Sequence, residues 1–514
     1  MLRSLLVLLV TLSLSGCGGE ADAVKENSTL NRGLSAAPES LDPQLARSVP
    51  ALTVLADIYE GLLTRDASGG LIAAVASDWQ VSDDGLRYEF TIGAAARWSD
   101  GTPVTSADFV RAWRYLVDPK NGAFYGELLS AVTGFDEIRR GDSPASALGV
   151  MAPSDDQLIV SLTAHQPDFL ERVAMPALAP RPQTEGLCNG AYTVVSTDLS
   201  EIELRKNRSY RAFTEAGFET VRYQIFEQEQ TELAAFESGD LDITSRVPRS
   251  LLRDPQKFAS TLRRAPYLGI VYLNFNLREP LDPRLREALY LSVDRDALAA
   301  RILGRGERPA WTMVPEGTRM GDTPYRGLAP EVAALNLERR IARSRALVVD
   351  IESLPMVQID YASNDENRVV AAALQQMWQS ALPGLEVKLN NQEFRVVLSQ
   401  ARAGEFPGLV RSSWIADYND PQQFLELFRG GAPGNTSGFA NPMFDLLLDR
   451  AAALRLPDRR QEALNEAESL LYESFVAIPL YTMVSKHLVR EDVAGWEGNP
   501  LDLHLTRYLR REAN

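Results

Sequence analysis

The chain has 514 residues, a formal net charge of −16 and 45% hydrophobic residues. Such an acidic chain is poorly suited to bind nucleic acid or an anionic lipid surface, because both partners are themselves negatively charged. The length allows three or four domain-sized units, or a single envelope of two interleaved lobes.

The amino terminus has the pattern of a lipoprotein signal peptide. One basic residue, Arg3, precedes a leucine-rich run from Leu5 to Leu14, and small residues then lead to Cys17. The run has about ten apolar residues, whereas a membrane-spanning helix needs about 20. We therefore expect residues 1–16 to be removed and residues 17–28, which are small and polar, to form a tether. A buried first helix is the alternative.

Local patterns predict several elements in the first half of the chain. Asp83-Asp-Gly85 is typical of a hairpin turn between two apolar runs, residues 79–81 and 88–92. Thr105-Ser-Ala-Asp108 is a capping box that opens a helix, and Asp118-Pro119 ends it. Trp98 and Trp113 are expected in the core. Residues 190–195 and 202–204 are predicted as paired strands.

The second half alternates apolar strands with amphipathic helices. A strongly apolar strand is expected at 267–276, and another at 477–481. Residues 357–361, a helix through 369–378, and residues 385–389 form a β-α-β pattern, which implies parallel strands with a right-handed crossover. Two further helices are predicted around 444–454 and 458–472.

Residues 411–421 carry a charge pattern that suits a small zwitterion. Read as a strand, this stretch places Arg411, Ser413, Ile415 and Asp417 on one face and Trp414 on the other. The carboxylate of Asp417 would hold an ammonium group, the guanidinium of Arg411 a carboxylate, and the backbone between them an extended peptide. The six steps span about 20 Å, the reach of about five or six extended residues. An edge strand with solvated charges is the alternative.

Several motifs in this order resemble the solute-binding proteins of oligopeptide ABC importers, over nearly all of the chain after Cys17. The matching segments are Trp98–Thr105 with Asp108-Phe109, Asn189–Tyr192, Tyr272–Asn276, Arg286–Arg295, Asn391–Glu393 and Arg411–Pro421. The resemblance implies an α/β, two-lobed periplasmic-binding-protein fold of class II type, cluster C, with an extra subdomain in the first lobe and the ligand cleft between the lobes. The implied boundaries are 29–59, 186–268 and 483–514 for lobe I, 60–185 for the extra subdomain, and 269–482 for lobe II.

The resemblance also implies a set of ligand-binding residues. Asp417 and Arg411 would bind the two ends of a peptide, and the backbone of Ser413, Ile415, Ser48 and Val49 would bond its main chain. Further candidates for the cleft are Trp414, Tyr125, Tyr267, Tyr272, Asn367, Phe394 and Tyr481. A packed surface position for Tyr125 and a core position for Tyr481 are the alternatives.

Some positions depart from the family pattern. Arg47 stands where peptide binders carry an acidic residue, Asn367 where they often have a histidine, and Leu303 where they have a lysine. The carboxylate end would then depend mainly on Arg411, which indicates a narrower range of peptide lengths or a modified peptide. Many family members also join two cysteines, whose matching positions here are Gly269 and Ile415.

No enzyme motif, cofactor or metal site is predicted. The three histidines, His165, His487 and His504, are widely spaced, and Asp240 and Asp242 lack partner ligands nearby. The chain has no Gly-x-Ser-x-Gly and no phosphate-binding glycine loop. Counting carboxylates does not exclude a glycosidase, because an acidic chain has many pairs of them.

The resemblance implies a monomeric lipoprotein of the periplasm, with diacylglycerol on Cys17, that delivers short oligopeptides to an ABC permease. With Cys17 modified, Cys188 is the only thiol left, so no intrachain disulfide can form. Another ligand on the same fold is the nearest alternative, such as a murein peptide, glutathione or a metal chelate. A peptide-sensing receptor without transport is the other.

Overall fold

The computed structural model of the protein describes residues 28–248, 251, 256–279 and 281–512. The predicted signal peptide, Cys17 and nearly all of the predicted tether lie outside these residues. Within the described ranges, no helix has both the length and the apolar composition needed to cross a membrane.

The described residues form twelve α-helices. In chain order they are α1 (Val49–Ile58), α2 (Ser106–Val117), α3 (Phe135–Arg140), α4 (Phe169–Arg172), α5 (Glu229–Ser238), α6 (Pro283–Leu291), α7 (Leu337–Val348), α8 (Asp365–Ala381), α9 (Phe394–Ala403), α10 (Gln422–Leu425), α11 (Pro442–Ala453) and α12 (Pro457–Glu473). A π-helical segment, Ala297–Leu303, follows α6.

The described strands number twenty. They are β1 (Thr29–Leu34), β2 (Leu63–Arg65), β3 (Leu71–Ala73), β4 (Ala76–Val81), β5 (Arg87–Ile92), β6 (Val150–Ser154), β7 (Gln157–Ser161), β8 (Tyr192–Thr197), β9 (Glu201–Lys206), β10 (Thr220–Ile225), β11 (Leu262–Phe275), β12 (Arg308–Pro309), β13 (Arg319–Met320), β14 (Thr323–Pro324), β15 (Val357–Ala362), β16 (Val387–Gln392), β17 (Leu409–Ile415), β18 (Ala477–Leu488), β19 (Val493–Ala494) and β20 (Arg510–Arg511).

The first large sheet has the order β1-β10-β9-β8. Its strand β1 is parallel to β10, and the other neighbours are antiparallel, which confirms the predicted pair at 190–195 and 202–204. Helix α1 packs near this sheet, and its residues Val54, Leu55 and Ile58 share a core cluster with Tyr192 and Tyr223.

The second sheet, in the order β4-β5-β7-β6, contains the predicted hairpin. Helix α2 covers it. The capping box is confirmed, because the carboxylate of Asp108 accepts a hydrogen bond of 2.9 Å from the backbone N–H of Thr105. Trp98 and Trp113 are buried in the adjoining core, as predicted.

The third sheet has six strands in the order β12-β18-β11-β17-β15-β16. The predicted β-α-β unit is confirmed, since β15 and β16 are parallel and α8 connects them. Strands β11 and β18 are long antiparallel partners that lie in the middle of the sheet. Core clusters lie on both faces of β11, with Val271 and Leu273 in one and Ile270 and Tyr272 in the other.

The three sheets are drawn from different parts of the chain, but the long strands cross the predicted boundaries. Strand β11 begins at Leu262, before the boundary at 268/269, and β18 ends at Leu488, after the boundary at 482/483. The long strands thus connect the parts of the chain assigned to the two lobes. The boundaries themselves stay a prediction.

Candidate ligand-binding cleft

A cavity of about 300 Å³ opens between the segment before α1, the loop that carries Tyr125, and the end of β17. It brings together residues that are hundreds of positions apart in the chain. Among the predicted site residues it is lined by Val49, Tyr125, Tyr267, Ile415 and Asp417. The structure therefore assembles these five predicted residues around one space.

Asp417 lines this cavity and lies two residues beyond the last residue of β17. Its Oδ1 accepts a hydrogen bond of 3.3 Å from the hydroxyl of Tyr125. Burial raises the pKa of Asp417, and the hydrogen bond from Tyr125 offsets this only in part. Among the described residues no cation pairs with its carboxylate. Asp417 is thus a partly desolvated anion with its counter-charge missing, which is the environment that an incoming ammonium group would complete.

The backbone next to Asp417 has an open edge. Strand β17 pairs with β11 along its whole length, from Leu409 to Ile415, whereas β15 pairs with it only at Leu409 and Val410. The N–H of Ala416 donates to Leu268 on the β11 side. Because the groups of successive residues alternate across a strand, those of Ser413 and Ile415 point away from β11, toward the open edge. An extended peptide can add there as a further strand.

The opposite wall of the cavity is built by the start of α1. Ser48 is the N-cap residue of α1, and Val49 is 63% exposed. Ser48 donates both its backbone N–H and its hydroxyl to the carboxylate of Glu39. Arg47 lines the cavity with its exposed side chain, but it contributes nothing to the pKa shift of Asp417.

Glu39 is a neighbouring carboxylate that the sequence reasoning missed. Its charge contributes to the raised pKa of Tyr125 and so acts close to the Asp417 end of the cavity. Partial burial opposes ionisation of Glu39, but the hydrogen bonds from Ser48 and Arg47 outweigh it and lower its pKa. The Pro38-Glu39-Ser40 segment, which lies shortly before the predicted contacts at Ser48 and Val49, was the available signal.

Arg411 is already paired. Its Nη2 lies 3.5 Å from Oε1 of Glu366 and 3.3 Å from the hydroxyl of Tyr481, which in turn donates to Glu366 at 2.8 Å. Arg305 also contacts Glu366. Burial opposes ionisation of Glu366, but the charge of Arg305, the hydrogen bond from Tyr481 and the charge of Arg411 outweigh it and lower the pKa of Glu366.

The charge cluster extends beyond Glu366. Glu307 lies 3.3 Å from Arg305 and 2.7 Å from Lys486. The resulting cluster has three cations, Arg411, Arg305 and Lys486, and two carboxylates, Glu366 and Glu307. A ligand carboxylate at this end would therefore meet a single net positive charge rather than a free guanidinium.

Three of the predicted cleft residues have side chains that face the protein interior, and a ligand contact for each of them stays a prediction. Tyr272, predicted in the cleft, is buried in the core beside Phe428. Asn367 is also buried, and its Nδ2 donates to the carbonyl of Ala362. Tyr481 is 1% exposed and packs in the core, so that only its hydroxyl joins the Arg411 cluster.

The other predicted residues outside the cavity lining are Ser48, Arg411, Ser413, Trp414 and Phe394. Trp414 faces the opposite side of β17 from Ser413 and packs against a core cluster, and Phe394 is an exposed residue at the start of α9. A ligand contact for either residue stays a prediction. Gly269 and Ile415, matched to the cysteines of other family members, are direct cross-strand partners of β11 and β17.

Tyr418, next to Asp417, joins the two parts of the protein. Tyr418 lies in the segment that follows β17, yet its side chain is buried in the core cluster of the second sheet. The guanidinium of Arg172 lies 5.5 Å from its ring centroid, and Arg172 also pairs with Asp168 at 3.0 Å. These contacts link the segment after β17 to the core beside the second sheet.

Comparison with known proteins finds relatives over nearly the whole chain. Residues 70–436 match the model of bacterial extracellular solute-binding proteins, family 5 Middle. The chain is 29% identical to the periplasmic murein peptide-binding protein MppA of Escherichia coli K12, covering 98% of this chain and 97% of that protein. It is 30% identical to the periplasmic oligopeptide-binding protein OppA of the same strain, covering 94% and 92%.

The fold is shared as well. The solved structure of the Escherichia coli murein tripeptide binding protein MppA superposes with a TM-score of 0.81 at 28% identity, covering 95% of this chain and 99% of that one. The predicted two-lobed α/β fold is thereby confirmed. The chain belongs to the family 5 bacterial extracellular solute-binding proteins, which are binding components of transporters rather than enzymes.

Proposed function

We propose that this protein captures short peptides in the periplasm and delivers them to an ABC permease. The observation that carries the proposal is the unpaired carboxylate of Asp417 at the end of the open edge of β17. A peptide would place its ammonium group on Asp417 and its main chain along Ser413 and Ile415. Such contacts are independent of side chains, which suits a protein that takes many sequences.

The decisive test of the Asp417 assignment is a pair of ligands. A peptide with a free amino terminus should bind the mature protein in isothermal titration calorimetry, and its N-acetylated form should not. Asp417→Asn should weaken binding of the free peptide by at least about 30-fold, since removing one partner of a buried charge pair costs about 2–5 kcal/mol. Equal binding of both peptides, or wild-type affinity of the variant, would refute the assignment.

A modified peptide is the second candidate, and the Arg411 cluster favours it. Glu366 and Arg411 lie close together and carry opposite charges. A terminal group with both an ammonium and a carboxylate could pair with the two of them. A murein peptide has such chemistry, and one relative is named for binding it.

Native mass spectrometry of protein purified without refolding separates the candidates. A ladder of mixed peptides supports the general binder, and one defined mass supports the modified peptide.

We further propose that Cys17 carries a lipid that anchors the protein to the membrane. The leucine-rich run and the small residues before Cys17 support this. Cys17→Ala should move the protein from the membrane fraction to the soluble periplasmic fraction. Unchanged membrane retention of the variant would refute lipidation.

A further inference from the structure

Two of the three histidines meet in the folded protein, although the sequence spacing argued against it. His487 on β18 and His504 near the carboxyl terminus both contact Asp502. Nε2 of His487 lies 2.9 Å from Oδ1 of Asp502, and Nε2 of His504 lies 3.0 Å from the same oxygen. The three ligating atoms all lie within 4.8 Å of one another.

The surroundings hold these side chains in place. Nδ1 of His487 lies 2.7 Å from the carbonyl oxygen of Thr244, and this contact requires the proton to be on Nδ1. The ring of His504 stacks on that of Trp496, with centroids 3.6 Å apart and planes 21° apart. A histidine whose Nδ1–H is bonded to a backbone carbonyl has its Nε2 oriented for a metal, which is the usual arrangement around metal-binding histidines.

There is also room for another ligand beside the three residues. A cavity of about 110 Å³ is bordered by His487, Asp502 and His504. Asp502 borders the larger ligand cavity as well. A metal ion at this point could therefore bind water or a further group from the cavity side.

One nearby charge opposes a cation. The guanidinium of Arg32 donates to the carbonyl of His504, but it also lies 3.9 Å from the buried carboxylate of Asp57 and bonds to the hydroxyl of Thr506. Since Arg32 has its own counter-charge, its repulsion on an ion beside Asp502 is reduced.

We propose that His487, Asp502 and His504 form a binding site for a divalent transition metal ion of the Zn²⁺ or Ni²⁺ type. Two imidazole nitrogens and one carboxylate oxygen are the donors that such ions prefer. With bonds of about 2.0–2.1 Å, tetrahedral ligand atoms are about 3.3 Å apart. The two separations between the histidine nitrogens and Asp502, 2.9 and 3.0 Å, need to widen by a few tenths of an ångström, and the two nitrogens lie within 4.8 Å of each other.

A bound ion would connect β18, a long strand of the third sheet, to the carboxyl-terminal segment. Because it would bind the folded state selectively, it should raise the thermal midpoint of the protein, and above Kd this rise should follow the logarithm of the metal concentration. The proposal does not depend on the identity of the organic ligand, and its test uses ligand-free protein.

The test is a titration of the mature protein, made without a polyhistidine tag and freed of metal with a chelator. Zn²⁺ and, separately, Ni²⁺ are added in isothermal titration calorimetry, and Co²⁺ is added as a visible-absorption probe. We expect one saturable site per chain. His504→Ala and His487→Ala should each weaken binding by about 100-fold, whereas His165→Ala, the matched control, should leave it unchanged.

Two outcomes would overturn the proposal. One is the absence of saturable one-to-one binding by the wild-type protein, which would leave the three residues as an ion-paired cluster only. The other is binding of unchanged affinity in His504→Ala with a native circular dichroism spectrum. If His487→Ala does not fold, His504→Ala is sufficient to test the proposal, because His504 lies outside the third sheet.

Discussion

At the scale of single residues, the two charged ends of the predicted site differ in pairing, since in the part of the chain that the structure describes one charge lacks a counter-charge and the other has one. Asp417 has no paired cation among the described residues, and burial raises its pKa. Arg411 is shared between Glu366 and Tyr481. The ammonium end is therefore prepared for a ligand, whereas a ligand carboxylate at the other end must compete with a carboxylate of the protein.

The raised pKa of Asp417 predicts how peptide affinity depends on pH. Only the ionised carboxylate can pair with an ammonium, so affinity should be constant near neutral pH and fall as the pH is lowered through the raised pKa. The loss should begin at a higher pH than for an ordinary aspartate, whose pKa is about 3.9. The same shift implies that protonation of Asp417 does not destabilise the folded protein, because burial favours the neutral form.

Calorimetry of one peptide between about pH 8 and about pH 4.5 measures this dependence, because an ordinary aspartate, with a pKa of about 3.9, stays largely ionised over this range. Asp417→Asn should bind weakly and lack the acid-dependent loss. A wild-type affinity that stays constant over the whole range would contradict the role of Asp417.

Glu366 is expected to determine selectivity at the far end. In Glu366→Gln the competing charge is removed, so a peptide whose carboxylate reaches Arg411 should bind about tenfold more tightly, which corresponds to about 1.4 kcal/mol. The amidated form of the same peptide should gain much less. Equal gains for both forms, or a loss specific to the free carboxylate, would show that Glu366 does not compete for Arg411.

At the scale of elements, β17 combines a secured edge and an open edge. The β11 edge is paired throughout, and the other edge is free of β15 after Val410. Proline at an edge position is tolerated when the lost N–H points away from the sheet. Neighbouring residues of β17 direct their N–H groups to opposite edges, so single proline substitutions can test the open edge separately from the paired edge.

Ile415→Pro should reduce peptide affinity with little change in stability, because it removes an N–H that points to the open edge. We expect a loss of about 0.5–1.5 kcal/mol, the net value of one hydrogen bond. Trp414→Pro is the matched control, since the groups of Trp414 point toward β11, and it should lower the thermal midpoint instead. Full affinity of a folded Ile415→Pro protein would argue against strand addition.

At the scale of the whole molecule, Tyr418 is one of the contacts between the two sides of the cleft, together with the hydrogen bond from Tyr125 to Asp417. It extends from the lobe that carries β17 into the core of the second sheet, where Arg172 lies over its ring. Hinge closure around a ligand is the usual motion of two-lobed binding proteins. A buried contact across the cleft should favour the closed arrangement even before a ligand binds.

Tyr418→Ala should therefore shift the ligand-free protein toward an open form. Small-angle scattering should give a larger radius of gyration than for the wild type, and saturating ligand should restore the smaller value. Affinity should fall several-fold, because binding must then drive closure. Tyr272→Ala is the control, since Tyr272 is buried within one core and should affect stability only. An unchanged radius for Tyr418→Ala would contradict the role of this contact.

Local interactions could be predicted from the sequence because they act over a few residues. The capping box of Thr105 and Asp108, the β-α-β unit around α8, and the two faces of β17 all follow from short spacings. The position of Asp417 beside an open strand edge also follows from the family resemblance together with this alternation.

Only the tertiary structure decided which faces border the cleft. Strand β11 has core on both faces, so its alternation could not show that Tyr272 points inward. The phase of α8 directs Glu366 toward Arg411 and buries Asn367, a difference of one residue that composition does not reveal. His487 and His504 meet at Asp502 because β18 and the carboxyl-terminal segment pack together, and such long-range contacts depend on the fold rather than on sequence spacing.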